Sequence, residues 1–309
     1  MSKTWLYLIV TIVVLILIVA LRIFFPFELS AIKVAAEPLP GLVIPIPGFP
    51  IPITNSLLTT WLVMVLLVLF ALWVSGSMKL IPSGKQNIAE MLVEALYGLT
   101  ESVAGSKWAP AFFPIVATIF VYVLLSNLMD PLTPLLGAIG IKEVVHGKDE
   151  IIPILRSPST DLNFTAALAL ISVTLTQYYG IRASGLAYFG KFINLMGLGK
   201  FVRIASGREK GNAGSALMMG LLDFFTGLIE LVSEVAKILS FSFRLFGNIF
   251  AGEVLLVVIP FLLSFIVPLP FLGLELFVGF IQAFVFAVLT LAFMSNATFS
   301  HGGEGEHAH

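Results

Sequence analysis

Arg244 lies inside a long apolar run, KILSFSFRLFGNIFAGEVLLVVIPFLL, which extends from Lys237 to Leu263. A guanidinium keeps its charge in proteins, and placing it at the centre of a lipid-facing helix costs roughly 3 kcal/mol. A carboxylate partner or a water-filled cavity must offset that cost. We therefore expect Arg244 to face protein or water, as is typical of a site for ion movement.

The composition of the chain is that of a membrane protein with several spanning segments. Hydrophobic residues make up 58% of its 309 residues, charged residues make up 11%, and the mean hydropathy is +1.03. No stretch has the mixed composition of a soluble domain, so one membrane domain is predicted. A net charge of -1 argues against a nucleic-acid partner, and the absence of cysteine excludes disulfides and thiolate metal sites.

Residues 1 to 54 are predicted to form an extra apolar segment and an external linker. The run from Trp5 to Phe25 is long enough to span a membrane. A retained span is favoured, although Lys3 and the small residues Ala35 and Ala36 also fit a cleaved signal peptide. The segment EPLPGLVIPIPGFPIP (Glu37 to Pro52) excludes a helix and favours an extended, polyproline-like chain.

Three more spans and one amphipathic helix are predicted in the first 180 residues. Ser56–Val74, Ala111–Met129 and Phe164–Tyr179 are apolar runs. Between the first two, Ile81–Gly105 has apolar residues at helical spacing, which predicts a helix lying in the membrane interface. Its apolar stripe comprises Ile88, Met91, Leu92, Ala95, Leu99 and Val103.

Basic residues predict which loops are cytoplasmic. The loop after Tyr179 is strongly basic, whereas the loop before Phe164 has charges of both signs. By the positive-inside rule the basic loop lies in the cytoplasm, and Lys79 and Lys85 fall on the same side. The basic residues of this loop are Arg182, Lys191, Lys200, Arg203, Arg208 and Lys210.

Polar side chains recur through the apolar region from Ser215 to Met294. In one continuous helix, at about 100° per residue, five of them fall within roughly 60° of Arg244, while Glu253 faces the opposite way. Glu275 and Gln282 are seven residues apart and share one face of the next helix. This predicts two ion half-paths separated by the permanent charge of Arg244. A moving carboxylate of a partner would carry ions from one half-path to the other. The five residues are Asp223, Glu230, Lys237, Ser240 and Asn248.

Five segments carry a resemblance to a known family. They are RLFGNIFAGE (Arg244 to Glu253), LIELVSEVAKILSFSF (Leu228 to Phe243), IQAFVFAVLT (Ile281 to Thr290), SNLMDPLTPLL (Ser126 to Leu136) and PSTDLNFTAALAL (Pro158 to Leu170). Together they resemble subunit a of the membrane sector of bacterial and chloroplast-type ATP synthases. Residues 55 to 298 are the expected membrane domain, and residues 299 to 309 are an expected disordered tail.

The resemblance implies an all-α stator subunit with five to six membrane helices and no catalytic activity of its own. Two long, tilted C-terminal helices would wrap the rotating c-ring, and Ile81–Gly105 would be the family's interfacial helix. Arg244 would be the essential arginine that faces the ring carboxylates. Expected partners are the c-ring, subunit b or another peripheral stalk, lipid, and protons, with sodium left open. No cofactor is expected, and no GxxxxGK[ST] phosphate loop occurs.

The resemblance also implies residues for the two half-channels. Glu275 stands where the family often has histidine, and Ile238 stands where proline is common. On the external side the implied residues are Glu253, Glu275, Gln282, Asn248, Asn127, Asp130 and Asp161. On the cytoplasmic side the resemblance implies Glu230, and Ser240 and Asp223 are expected there because they share its helical stripe.

Structural roles remain open for several of these residues. Asp161 also fits a helix cap, and Asp130, which precedes a proline, also fits a helix end. Glu234 and Lys237 are three residues apart and also fit a simple ion pair. Gln282 and Asn248 also fit ordinary hydrogen bonding between membrane helices, and Glu275 also fits a helix-end charge in water.

Two other function classes are weaker. A secondary transporter would show internal repeats, which the sequence lacks. A membrane scaffold would not need Arg244, Glu253, Glu275 and Gln282 on organised faces. We expect a multi-pass protein of the cell (inner) membrane with a cytoplasmic C-terminus, where the tail from His301 to His309 is solvated rather than metal-bound.

Overall fold

The computed structural model describes residues 35–45, 50–76, 79, 84–131, 140–145, 148–192, 213–262 and 267–299. Five helices in this part of the chain are long and apolar enough to cross a membrane, which confirms the predicted all-α, multi-pass class. The predicted first run, Trp5 to Phe25, and the tail lie outside the described residues. The helices are α1 (Asn55–Ser75), α2 (Lys85–Leu128), α3 (Leu162–Ser184), α4 (Ala213–Leu262) and α5 (Pro268–Phe299).

Helix α1 has a polar, buried beginning and an apolar, exposed remainder. Thr54 caps it by accepting a hydrogen bond from the backbone N–H of Leu57 at 3.3 Å. Asn55 and Ser56 are buried, whereas Leu72 and Trp73 further along are exposed. Such a distribution suits a helix whose apolar side chains contact lipid.

Helix α2 consists of two helices that meet at Gly105. Its backbone there has φ 74° and ψ 162°, a conformation that glycine adopts readily and other residues rarely do. The predicted helix Ile81–Gly105 is therefore present from Lys85 and ends as expected. Its buried residues include Leu96, Thr100 and Ala104, while Ile88 of the predicted apolar stripe is 63% exposed. We attribute the exposure to a surface left for lipid or for neighbouring subunits.

Helix α4 is continuous over 50 residues, which meets the condition for one polar stripe around Arg244. At about 1.5 Å per residue it is roughly 75 Å long, well over the roughly 30 Å of a hydrocarbon core. It must therefore be tilted or project beyond the core. Helix α5 extends over 32 residues.

Two short antiparallel hairpins accompany the helices. The described residues of the Pro-rich segment are extended, as predicted, but they form paired strands, β1 (Pro38–Ile44) and β2 (Ile51–Thr54), rather than an isolated polyproline-like chain. Strands of a two-stranded hairpin are both edges, so they tolerate prolines that lack an N–H. The second hairpin, β3 (Gly140–Val145) and β4 (Lys148–Pro153), was not predicted from the sequence.

The chain divides into two compact units. The first contains the described residues of Met1–Met78, Phe120–Phe164 and Leu245–Val285, and the second contains those of Lys79–Ile119, Thr165–Arg244 and Phe286–His309. Phe120 packs edge-on against Phe280 in the first unit. In the second, Phe112 packs against Tyr179 with ring centroids 4.9 Å apart. Each unit contains a cluster of titratable side chains.

Candidate functional site

The cluster of the first unit is built around Glu275 on α5. The Glu275 side chain is buried, and its carboxyl lies directly against Gly252 of α4. A methyl group added at residue 252 would occupy the space of that carboxyl. The glycine therefore creates the pocket for Glu275, and the structure does not support a helix-end charge in water.

Asp130 lies two residues beyond the end of α2 and faces the same pocket. It is 1% exposed, and neither of its oxygens has a hydrogen-bond donor within the described part of the chain. Burial, together with the charges of Glu253 and Glu275, raises the pKa of Asp130 well above its usual range. A proton on Asp130 or Glu275 would join the two carboxyls by a hydrogen bond, so the pair can share one proton.

Asn127 links three segments of the first unit. Its Oδ1 accepts a hydrogen bond from Ser159 Oγ at 2.6 Å, and its Nδ2 donates to the carbonyl of Gly279 at 3.0 Å. Asp161 accepts from Ser56 Oγ at 2.8 Å and from the N–H of Asn163 at 2.9 Å. Asp161 is therefore the N-cap residue of α3, which is the structural role that its sequence position also allowed.

Asn248 and Gln282 connect α4 to α5. Nδ2 of Asn248 donates to Oε1 of Gln282 at 2.9 Å, and Gln282 is buried. Nε2 of Gln282 has no acceptor among the described residues. The amides therefore form an interhelical bond that leaves one donor for a further partner.

Glu253 forms an ion pair that sequence reasoning missed. Arg156, between β4 and α3, donates from Nε to Oε1 of Glu253 at 3.1 Å and from Nη2 to Oε2 at 2.9 Å. From its sequence Arg156 is one of six charged residues in a loop of mixed sign, and nothing in charge or spacing singles it out. The sequence feature that could have drawn attention to Arg156 is its position two residues before Pro158 to Leu170, a segment that carries the family resemblance.

The cluster of the second unit consists of two acids and two lysines. Lys191 Nζ pairs with Glu230 Oε1 at 2.5 Å and with Glu234 Oε1 at 3.3 Å. Lys237 pairs with the same oxygen of Glu234 at 2.8 Å, as its spacing allowed. Asp223 and Ser240 share the helix, but neither is joined to this cluster by a hydrogen bond or ion pair among the described residues.

Arg244 lies in the second unit, half-buried on α4. Its guanidinium carbon is 6.0 Å from the centroid of the Phe241 ring. Within the described ranges Arg244 makes no ion pair, so no carboxylate of this part of the chain neutralises it. The charge is therefore available to a partner beyond these residues.

Comparison with known proteins identifies the family. A family model described as "ATP synthase A chain" matches residues 57–295. The chain belongs to this family. A relative named "ATP synthase subunit a", from Moorella thermoacetica (strain ATCC 39073 / JCM 9320), is 30% identical over 253 residues, which cover 82% of this chain and 94% of the relative.

Membership in the ATP synthase A chain family gives the role of the protein. It is a membrane component of the F0 sector that takes part in proton translocation, and it is not itself catalytic. Five potential membrane helices fit that role. Its partners are other subunits of the ATP synthase complex.

Replacing Lys191 by methionine is expected to destabilise the second unit. The change leaves Glu230 without its lysine, which should lower the free energy of unfolding by roughly 1–3 kcal/mol. The melting temperature of the assembled complex in detergent measures the loss. Lys107→Met is the matched control, because Lys107 is exposed and its Nζ lies 6.0 Å from the centroid of the Trp108 ring. Equal losses from both variants would contradict a structural role for the Lys191 pairs.

The same experiment has a defined pH dependence. Burial lowers the pKa of Lys191, but the hydrogen bond to Glu230 and the nearby Tyr188 and Glu234 outweigh it, and the net pKa is raised. A group with a raised pKa contributes its stability below its ordinary pKa and loses it as the pH rises through the folded value. The difference in melting temperature should therefore stay constant between about pH 6 and about pH 9.

Proposed function

We propose that this subunit conducts protons through two offset half-channels to and from the carboxylates of a rotating c-ring. The observation that carries the proposal is Arg244, a half-buried permanent charge on α4 that no carboxylate of the described chain neutralises. A carboxylate on a moving partner would neutralise the charge of Arg244. Because a guanidinium does not release its proton, Arg244 would also bar protons from passing directly between the half-channels.

The external half-channel is assigned to the cluster of the first unit. Asp130 and Glu275 are buried carboxyls that can share a proton, and Glu253 lies nearby. Such groups can accept and release protons in turn. Asn248, Gln282, Asn127 and Asp161 would shape this path through the hydrogen bonds that they make.

The cytoplasmic half-channel is assigned to Glu230, Ser240 and Asp223 on α4. Glu230 is supported by its partly buried carboxylate, which Lys191 holds. Ser240 is exposed and Asp223 is half-buried, so both are accessible to water or to a partner subunit. This assignment places the protonation steps on the face of α4 that also carries Arg244.

The c-ring converts these steps into rotation. Each proton that crosses a potential of 100 mV supplies about 2.3 kcal/mol, so several must pass for each ATP that is made. The long helices α4 and α5 would follow the outer surface of the ring, and subunit b or another peripheral stalk would hold the subunit still. We propose that the protein lies in the cell (inner) membrane with its C-terminus in the cytoplasm. The positive-inside rule assigns the basic loop after α3 to the cytoplasm, and two potential spans, α4 and α5, follow that loop.

The proposal is tested with the purified complex in sealed liposomes. ATP added outside should acidify the interior in a sodium-free buffer, and a protonophore should collapse the gradient. A pH-sensitive dye records the acidification. If ATP drives sodium into the liposomes, and if no acidification occurs in the sodium-free buffer, protons are not the transported ion.

A further inference from the structure

The guanidinium of Arg156 is held on several sides. Besides its two bonds to Glu253, Nη1 donates to the backbone carbonyl of Ala35 at 2.9 Å. The backbone N–H of Arg156 donates to Thr59 Oγ1 at 3.1 Å, and the residue is only 4% exposed. A planar fork held in this way presents its two N–H groups in one direction, so it fixes the orientation of the Glu253 carboxylate.

The contact with Ala35 belongs to an anchored segment. Asn55 donates from its backbone N–H to the carbonyl of Glu37 at 3.0 Å, and Oδ1 of Asn55 accepts from the N–H of Glu37 at 3.2 Å. Nδ2 of Asn55 donates to the carbonyl of Pro153 at 3.3 Å. The hairpin of β1 and β2 is thereby tied to the strand end that lies three residues before Arg156.

Arg156 is also the cation of an acidic cluster. Glu253 on α4 is paired with it, and Asp130 after α2 feels its charge together with those of Glu253 and of Glu275 on α5. The positive charge of Arg156 opposes protonation of the carboxyls near it, Asp130 among them. Displacement of the guanidinium would therefore alter both the geometry and the proton affinity of the cluster.

We propose that Arg156 is a positioning residue for Glu253, and that residues 35–45 and 50–54, which precede the family match, hold Arg156 in place at the external half-channel. This inference rests on the proposed function. The segment outside the family match is then a working part of the proton path rather than a passive linker.

Two variants distinguish the effect of the positive charge of Arg156 from the effect of its planar guanidinium geometry. ATP synthesis in liposomes is driven by an imposed gradient while the proton concentration on each side is varied in turn, and rates are expressed per assembled complex. With Arg156→Gln, the external proton concentration that gives half of the maximal rate of ATP synthesis should fall at least about threefold. The reason is that removal of a cation favours protonation of nearby acids. Half-saturation on the cytoplasmic side should not change. Arg156→Lys keeps the charge but not the fork, so it should lower the maximal rate about fivefold, equivalent to about 1 kcal/mol, without that shift.

The role of the hairpin is tested with Asn55→Ala. Alanine removes the side-chain bonds of Asn55 to Glu37 and Pro153, together with the bond that its Oδ1 accepts from the N–H of Ser56 at 2.9 Å, and it should lower the maximal rate in the same way as Arg156→Lys. Val43→Ala is the control, because Val43 lies on the hairpin and is exposed. Parental rates for Asn55→Ala would overturn the part assigned to the hairpin, and parental kinetics for both Arg156 variants would overturn the positioning role.

Failure of this inference is distinguishable from failure of the proposed function. Arg244→Ala is measured in the same liposomes. If Arg244→Ala is inactive while the Arg156 variants behave as the parent, only the inference fails. If Arg244→Ala works normally, the half-channel proposal itself fails.

Discussion

Replacing Arg244 by alanine is expected to reduce ATP-driven proton pumping to background while the complex still assembles. Alanine removes the charge that would attract the deprotonated ring carboxylate and block direct passage between the half-channels. It is well tolerated in helices and removes the roughly 3 kcal/mol cost of a charge in the membrane, so α4 should remain folded. Dye-monitored acidification of vesicles measures pumping, and passive proton leak through the membrane sector should rise.

Two variants serve as controls for this prediction. Arg244→Lys keeps a positive charge without the planar fork, and it should block the leak better than alanine does. Thr226→Ala changes an exposed residue of the same helix whose side chain, within the described ranges, bonds to the carbonyl of Leu222 one turn away, so it should pump normally. Normal pumping by the Arg244→Ala complex would rule out the assignment of this residue as the gate.

Replacing Gly252 by alanine is expected to reduce pumping at least about tenfold, equivalent to about 1.4 kcal/mol in the rate-limiting barrier. The added methyl would coincide with the carboxyl of Glu275. Because that carboxyl is the end of a flexible side chain, it should move aside and leave Asp130, while the helices keep their places. The rate of acidification per assembled complex measures the effect.

Gly273→Ala separates this steric effect from the loss of a glycine as such. Gly273 lies on α5 two residues from Glu275, and a methyl group there would meet nothing within 4 Å among the described residues. Both changes favour helix by about 1 kcal/mol, so only the clash with Glu275 distinguishes them. Similar pumping by the two variants would argue against a specific place for the Glu275 carboxyl.

The helices were predictable because their signals are local. Apolar length indicated α1, α3 and the second part of α2, and the spacing of polar residues indicated the face of α4 that carries Arg244. The pair of Glu234 and Lys237 followed from their separation within one helix turn. Such features depend on neighbours in sequence, so composition and periodicity suffice for them.

The partner of Glu253 was not predictable in the same way. Arg156 is 97 residues away in sequence, and the two meet only because β4 and the start of α3 bring a loop to α4. The buried residues of the first part of α2, among them Leu96, Thr100 and Ala104, were also not predicted, whereas Ile88 and Met91 of the predicted stripe are exposed, as a face for lipid or neighbouring subunits requires. Long-range packing decides both features, and no local pattern encodes it.

The pocket beside Gly252 also bears on how this sequence can change over time. Residues 252 and 275 occupy one volume although they lie on different helices, so the size accepted at one depends on the other. A lineage that gains a side chain at 252 must shorten or redirect the group at 275, and the two changes would need to be inherited together. Gly252 therefore allows an acid at residue 275 because it has no side chain, and the space that a side chain would fill holds the Glu275 carboxyl.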